Sequence, residues 1–400
     1  MKIIVQKFGG TSVSTIERRE QVVAKILLAI KKGYSPVVIV SAMGRKGEPY
    51  ATDTLLSLID NDFKKNNLQA VDMLMNCGEI ISSIVMSNLL INKGIDSIPL
   101  TGGQAGIITN EDFTKAEVLY TNPKKIIEVL ECGKVPVIAG FQGVSENYTF
   151  TTLGRGGSDT SACIIGEALK AEEIEIYTDV DGIMTADPRI VKDAVLINNI
   201  SYNEVFQLAH EGAKVIHPKA VDYAKKANIP ILIKNTMSEC NGTLINDIGN
   251  KNNKKIISGI TNLNNRVQIK VSLKENINNI KYRELLNILA QNKISLDLIN
   301  IFPKEQIFTV DDTNKENVKE VLDKSNLKYS IIEDCSTIAI IGNKMNGVPG
   351  IMAKIQNILN ENSIEILQTA DSNMTIWCLI ETKNINKALN LLHNEFKLNE

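Results

Sequence analysis

A lysine, a glycine pair and two hydroxyl residues stand together in Lys7-Phe8-Gly9-Gly10-Thr11-Ser12. The apolar run Ile3-Ile4-Val5 precedes them, and a helical pattern from Ile16 to Ile30 follows. A strand therefore feeds a glycine turn, and the turn opens a helix. Two glycines let the backbone approach a bulky ligand because no Cβ intervenes. Thr11 and Ser12 suit a helix N-cap, and unpaired amides at a helix N-terminus attract anions. With the charge of Lys7 added, the segment suits a phosphate or a carboxylate. Taken alone it also fits an ordinary glycine turn with a solvated lysine. No Gly-x-x-x-x-Gly-Lys-Ser/Thr loop occurs, and no strand-bounded Gly-x-Gly-x-x-Gly.

A second cluster, Leu153-Gly154-Arg155-Gly156-Gly157-Ser158-Asp159-Thr160-Ser161, follows an expected hairpin (144–152) and opens an expected helix (158–169). Arg155 offers a planar fork that suits a carboxylate. Asp159 falls in the first helical turn, where the helix dipole favours its ionised form. Two glycine-rich loop–helix junctions, each with a cation, argue against plain turns. A third cluster runs from Thr178-Asp179-Val180-Asp181-Gly182 to Asp187-Pro188-Arg189. It starts at a strand's C-terminal end, where ligands of open α/β sheets bind. Its aspartates lack EF-hand spacing. They could hold a divalent cation, or cap turns and hydrogen-bond a ribose, and Arg189 could meet a phosphate.

The elements that must position these clusters come next. At 400 residues the chain has room for two or three domains. Apolar residues make up 44% and charged residues 22%, as in ordinary globular proteins. A net charge of −2 gives no broad attraction to nucleic acid or an anionic membrane. No apolar run looks long enough to span a bilayer, and the N-terminus lacks the order of a secretory signal. Cys77, Cys132, Cys163, Cys240, Cys335 and Cys378 are scattered, mostly in apolar contexts, which suits reduced core thiols of a cytoplasmic protein. His210, His217 and His393 show no zinc spacing.

Over residues 1–245, β-rich runs alternate with helical patterns, so a mostly parallel sheet flanked by helices is expected. The polar run Gly249–Lys255 marks a linker, placed at 246–262. Beyond it a strand–helix–strand–strand–helix order occurs twice, over 263–333 and 334–400. A duplicated unit of this kind suits a paired sensor or a dimerisation module.

With these motifs in this order, the chain resembles the aspartokinases of the amino-acid kinase family. The carrying residues are Lys7–Ser12, Val40-Ser41-Ala42-Met43-Gly44, Ala51-Thr52-Asp53, Gly78-Glu79, Gly140-Phe141-Gln142-Gly143, the Gly154–Ser161 loop, Thr178-Asp179, Asp187-Pro188-Arg189 and Ala213-Lys214-Val215-Ile216-His217-Pro218. The resemblance covers nearly the whole chain. Met43–Asp53 and Ala370-Asp371-Ser372…Thr375-Ile376-Trp377 resemble the monofunctional, Bacillus-type, diaminopimelate-sensitive form. The resemblance implies an amino-acid kinase fold followed by two ferredoxin-like ACT units. It implies transfer of the γ-phosphoryl of ATP to the side-chain carboxylate of L-aspartate, the feedback-regulated first step toward lysine, diaminopimelate, threonine and methionine.

The same resemblance implies roles. Lys7, Gly9, Gly10 and Asp159 are catalytic, with Asp159 orienting Lys7. Ser41, Thr52, Glu79, Phe141, Arg155, Gly156, Gly157 and Ser158 hold aspartate, Arg155 on a carboxylate and Glu79 on the ammonium. Lys7, Phe8, Gly9, Gly10, Thr178, Asp179, Asp181, Arg189, Lys214 and Val215 hold ATP, with Mg²⁺ bound through its phosphates and no protein metal site. Met345, Asn346, Gly347, Val348, Pro349 and Gly350 form the effector loop, for meso-diaminopimelate first, then lysine, then threonine. A cytoplasmic homodimer or larger assembly is implied, with no nucleic-acid or membrane partner. Two departures stand out: Met184 replaces an expected tyrosine, and the first ACT unit lacks Pro-Gly in Lys274–Ile280; His217 before Pro218 reads as a helix start, not as a group for proton chemistry. A kinase for N-acetylglutamate, glutamate or carbamate, or an inactive ACT sensor, would share parts of the pattern.

Overall fold

The computed structural model describes residues 1–213, 215–250, 256–276, 280–343, 345 and 348–400. The chain divides into two compact units: Met1–Ile183 with Leu196–His210 and Lys214–Asn252, and Met184–Val195 with Glu211–Ala213 and Asn253–Glu400.

The strands of the first unit are β1 (Ile3–Phe8), β2 (Ser35–Val40), β3 (Ser97–Leu100), β4 (Ile107–Thr109), β5 (Val118–Thr121), β6 (Val135–Ala139), β7 (Gln142–Ser145), β8 (Phe150–Thr152), β9 (Glu173–Thr178), β10 (Asn199–Ser201), β11 (Ile231–Asn235) and β12 (Thr243–Asn246). Its helices are α1 (Ile16–Lys31), α2 (Thr52–Leu56), α3 (Asn61–Asn66), α4 (Leu68–Asn92), α5 (Lys124–Glu131), α6 (Gly157–Leu169), α7 (Tyr202–His210) and α8 (Pro218–Ala227). Eight strands form the main sheet in the order β10-β12-β11-β9-β1-β2-β6-β3, and β5-β4-β7-β8 form a smaller one. The central strands run parallel, with β1 between β9 and β2. Their C-terminal ends therefore share one rim.

Alternation along β1 decides what each side chain meets. Ile4, Gln6 and Phe8 share one face, and the Gln6 amide reaches back to Lys25 O on α1. Val5 and Lys7 face the other way. Val5 lies near Gly166 of α6, and Lys7 meets Asp159 in the first turn of α6. The core between the sheet and helices α1 and α4 gathers Phe8, Val22, Ile26, Val38, Val40, Met86, Leu90 and Tyr177.

The opening turn differs from its sequence reading. Gly10–Ser12 make a short 3-10 turn, and α1 begins only at Ile16, capped by Thr15, which accepts from Arg18 N–H. Thr11 and Ser12 therefore do not cap α1. Two short helices, α2 and α3, follow the loop after β2, the latter capped by Asp60. Helix α4 is 25 residues and, by length and composition alone, apolar enough to cross a membrane, contrary to the expectation above. It carries buried Asp72, Asn76 and Glu79 and packs against β3, β6 and β8, as a core helix does. All six cysteines are free, but only Cys163, Cys335 and Cys378 are buried; Cys77 and Cys132 are exposed.

The second unit contains β13 (Ile257–Ser272), α9 (Leu285–Gln291), β14 (Asp297–Phe302), β15 (Glu305–Asp311), α10 (Lys315–Lys324), β16 (Ser330–Gly342), α11 (Ile351–Glu361), β17 (Gln368–Asp371), β18 (Thr375–Glu381) and α12 (Ile385–Glu395). They build a six-stranded sheet, β14-β15-β13-β16-β18-β17. The two long strands serve both halves. Val267, Ile269 and Val271 of β13 join one core with α9 and α10, while Ile257 and Ile260 join the other with α11 and α12. Residues 257–262, assigned to the linker from sequence, are thus strand, paired with the end of β16. The 333/334 boundary likewise falls inside β16. Linker residues 251–255, and 277–279 in the first ACT unit, lie outside the described residues.

Candidate active site

Lys7, the penultimate residue of β1, meets Asp159 Oδ1 at 2.6 Å, with side chains only 11% and 13% exposed. Asp159 Oδ1 accepts no aligned hydrogen bond, so the contact is held by charge. Asp159 is delivered by α6, whose N-cap Gly156 has φ +68°. That left-handed conformation suits glycine. A Cβ there would also lie 2.2 Å from the His217 side chain.

Above this pair, one cavity of ≈ 370 Å³ opens at the rim. Lys7, Gly10, Ser41, Thr52, Glu79, Phe141, Gly156, Gly157, Ser158 and Asp159 line it, together with Ala42 and Gly44. Ten residues expected from sequence to serve the site thus converge from six separate stretches of the chain. Ala42 and Gly44 were missed as individual contributors, although the Val40–Gly44 run around them was noted.

Glu79 comes from the middle of α4 and is 3% exposed. Its Oε1 accepts from Ala42 N–H at 3.2 Å, and its Oε2 has no partner. Burial pushes this carboxyl up to about 8. Gly78 permits the approach, since a Cβ there would lie 2.8 Å from Ala42 Cβ. Asp72, on the same face of α4, accepts from Thr114 N–H and from Thr152 N–H and O–H. It ties α4 to the smaller sheet and was not singled out from sequence. A polar stripe at 72, 76 and 79 on an apolar helix was the available signal. Phe141 forms a wall with φ +70°, a costly conformation for a bulky residue. Its N–H donates to Ser161 Oγ.

Other expected residues sit differently. The Gly9 N–H is already donated to Tyr177 O at 3.1 Å, so Gly10 is the member of the pair that faces the cavity. The Phe8 side chain is in the core, stacked on Tyr177 at 4.8 Å, so it presents only backbone to the rim. Arg155 is exposed and does not line the cavity. Thr178 ends β9 and Asp179 follows it, the Thr178 hydroxyl donating to Asp179. Asp181 accepts from Asn235 and Ser238. Val215 is half-buried before α8, and Lys214 lies outside the described residues. Arg189 belongs to a segment of the second unit and forks onto Asp187, which it holds below the usual carboxylate range. His217 caps α8, accepting from Lys219 N–H at Nδ1, and burial lowers its basicity. That arrangement leaves it a structural role.

In the second unit, Met345 is buried, Val348 N–H donates to Met345 O, and Gly350 caps α11 with φ +91°. Pro349 stands between them, and Asn346 and Gly347 lie outside the described residues. Among the described residues no cluster of three metal-binding side chains occurs. Exposed Asp179 and Asp181 suit only a cation held mainly by a ligand's own oxygens.

A parallel rim, a glycine turn beside a paired lysine and a helix N-terminus facing one cavity define a phosphotransferase-like α/β domain. Residues 2–235 match the Amino acid kinase family, and residues 330–394 match an ACT domain. The chain belongs to the amino acid kinase family, among its aspartokinases. Aspartokinase 1 of Bacillus subtilis (strain 168) is 42% identical over all of both chains, and Aspartokinase of Bacillus sp. (strain MGA3) is 35% identical over 100% of this chain and 98% of its own. In fold, Clostridium acetobutylicum aspartate kinase matches with TM-score 0.78 at 23% identity, covering 98% of this chain and 100% of that one. E. coli aspartokinase III, solved in complex with aspartate and ADP, matches with TM-score 0.76 at 23% identity, covering 98% and 99%.

Proposed function

We propose that the protein transfers the γ-phosphoryl of ATP to the side-chain carboxylate of L-aspartate, giving 4-phospho-L-aspartate and ADP. One observation carries this reading: a single cavity holds the Lys7–Asp159 pair at one side and a buried carboxylate with a vacant oxygen, Glu79, at the other. An amino acid whose ammonium meets Glu79 lays its side chain toward Lys7. Both reactants are anions, so positioning and charge neutralisation dominate the chemistry.

Lys7 neutralises the transferring phosphoryl, Asp159 orients Lys7, and the Gly10 amide supports the phosphate. Ser41, Thr52 and Ser158 offer hydroxyls to aspartate, while Phe141, Gly156 and Gly157 shape the pocket. Arg155 takes a carboxylate by swinging in from the rim. Thr178, Asp179, Asp181 and Val215 lie where the nucleotide lies. Mg²⁺ bound through ATP phosphates supplies further charge neutralisation. No general base is needed, because the acceptor carboxylate is already ionised at neutral pH.

The ACT units bind a feedback amino acid, with meso-diaminopimelate first, then lysine, then threonine. The effector acts by binding active and inactive arrangements unequally. The enzyme works in the cytoplasm as a homodimer or larger assembly, at the head of the lysine, diaminopimelate, threonine and methionine branch. A coupled assay for ADP with L-aspartate, N-acetylglutamate, glutamate and carbamate tests the reaction. ADP release that needs L-aspartate and disappears in Asp159→Ala supports it; a stronger response to an acetylated amine overturns it.

A further inference from the structure

The loop after β2 carries a cation that the sequence pattern left unassigned. Arg45 reaches across the rim and pairs with Asp179, on the loop after β9. Strand β1 lies between β9 and β2, and its register places Phe8 opposite both Val40 and Tyr177. The guanidinium therefore bridges over the end of β1, where Gly9 and Gly10 turn. The loop is fastened to that turn: Gly44 N–H donates to Gly10 O at 3.0 Å. It is also fastened to its own far side, where Arg45 N–H donates to Glu48 and Gly47 N–H to Thr54 Oγ1. The backbone of Arg45 is thus tied down while its side chain, 70% exposed, stays able to move.

A phosphate chain reaching Lys7 from the β9 side would run along the stretch of rim that this pair spans. It also meets Asp179, which repels it unless that charge is balanced. We infer that Arg45 is a catalytic residue of the phosphoryl transfer: Asp179 holds its guanidinium across the rim until nucleotide binds, and the guanidinium then takes the terminal phosphate oxygens. This rests on the reading given under Proposed function. In the step itself the bond from the γ-phosphorus to the β,γ-bridging oxygen breaks, and one from the γ-phosphorus to an aspartate carboxylate oxygen forms. ADP keeps the electron pair and no proton moves. Arg45 contributes only fixed positive charge on the oxygens of the group in flight, and its planar fork suits two of them at once.

The test uses the full-length protein, wild type, Arg45→Ala and Arg45→Lys, with Mg²⁺ and either ATP or ADP. The expected loss in kcat for Arg45→Ala is about 10²-fold, the usual scale for removing one such donor, with KM for aspartate little changed. Arg45→Lys falls between, because it keeps the charge and loses the fork. Free guanidinium ion restores part of the Arg45→Ala rate, which a merely structural residue would not allow. Titration calorimetry adds a readout independent of turnover: Arg45→Ala weakens ATP more than ADP. A kcat within about twofold of wild type together with an unchanged ATP-to-ADP affinity ratio overturns the inference. If the wild type releases no ADP with L-aspartate, the proposed function fails, and the ATP-to-ADP ratio still decides the role of Arg45.

Discussion

Ala42 N–H donates to Glu79 Oε1 at 3.2 Å, linking the loop after β2 to the middle of α4. The second oxygen of Glu79 is buried and unpaired. Burial makes the carboxyl resist ionisation, and on the proposed reading a bound ammonium reverses that.

On the proposed reading, this carboxyl should couple aspartate binding to pH. Glu79 titrates near 8 in the folded protein instead of 4.5, because burial penalises its charge. A raised folded value means a contribution to stability that is complete below the unfolded value and is lost as pH rises through the folded one. The ligand-free protein is therefore expected to lose stability between pH 4.5 and 8 at this group. Aspartate binding at pH 7 should release a proton, measurable by calorimetry in buffers of different ionisation enthalpy. No proton release would contradict the assignment.

Glu79→Gln removes the charge and keeps the shape. KM for aspartate should rise about 10- to 100-fold, the scale of one charged hydrogen bond. The ligand-free variant should melt higher than wild type at pH 8, since it buries no ionisable acid. Thermal melts and steady-state kinetics check both parts.

Asp159→Ala leaves Lys7 buried without its partner. Breaking such a pair costs about 3–5 kcal/mol when fully buried, and the slight exposure of both side chains sets the expectation at the lower end. Lys7→Ala should lower kcat by about 10²- to 10³-fold, with smaller changes in KM. Denaturant titration and initial rates separate the two effects.

Asp72→Ala should destabilise the first unit by about 2–3 kcal/mol, since three donors from Thr114 and Thr152 lose a buried acceptor. Urea unfolding measures this. A change below about 0.5 kcal/mol would mean the donors find water instead.

Gly156→Ala should cost both stability and activity, because the new Cβ meets His217 and the backbone is left-handed. Backbone strain of this kind is worth about 1–2 kcal/mol. Pairing it with His217→Gly, which removes the Cβ standing 2.2 Å away, should recover the steric part but not the backbone part, a comparison made by melting all four proteins.

The candidate site residues were legible in the sequence because local rules create them. Glycine pairs, a lysine at a strand end and an aspartate in a first helical turn act through neighbours only a few positions away. The α/β alternation, the hairpin and the doubled βαββα order were legible for the same reason, since strand and helix periods are written along the chain. Contacts between distant segments were not. The engagement of the Gly9 amide with Tyr177 O follows from which strand lies beside β1, and that is a choice of sheet order. The burial of Phe8 follows from the same choice. Thr15 prevailed over Thr11 and Ser12 as the cap because a 3-10 turn intervened. The division of the C-terminal half by sequence failed inside β13 and β16, since one long strand can serve two cores with no local mark at the crossing point. Sequence named the groups; tertiary structure decided which oxygen of Glu79 stays open and which aspartate Arg45 reaches, because burial and long-range proximity belong to the packed chain alone.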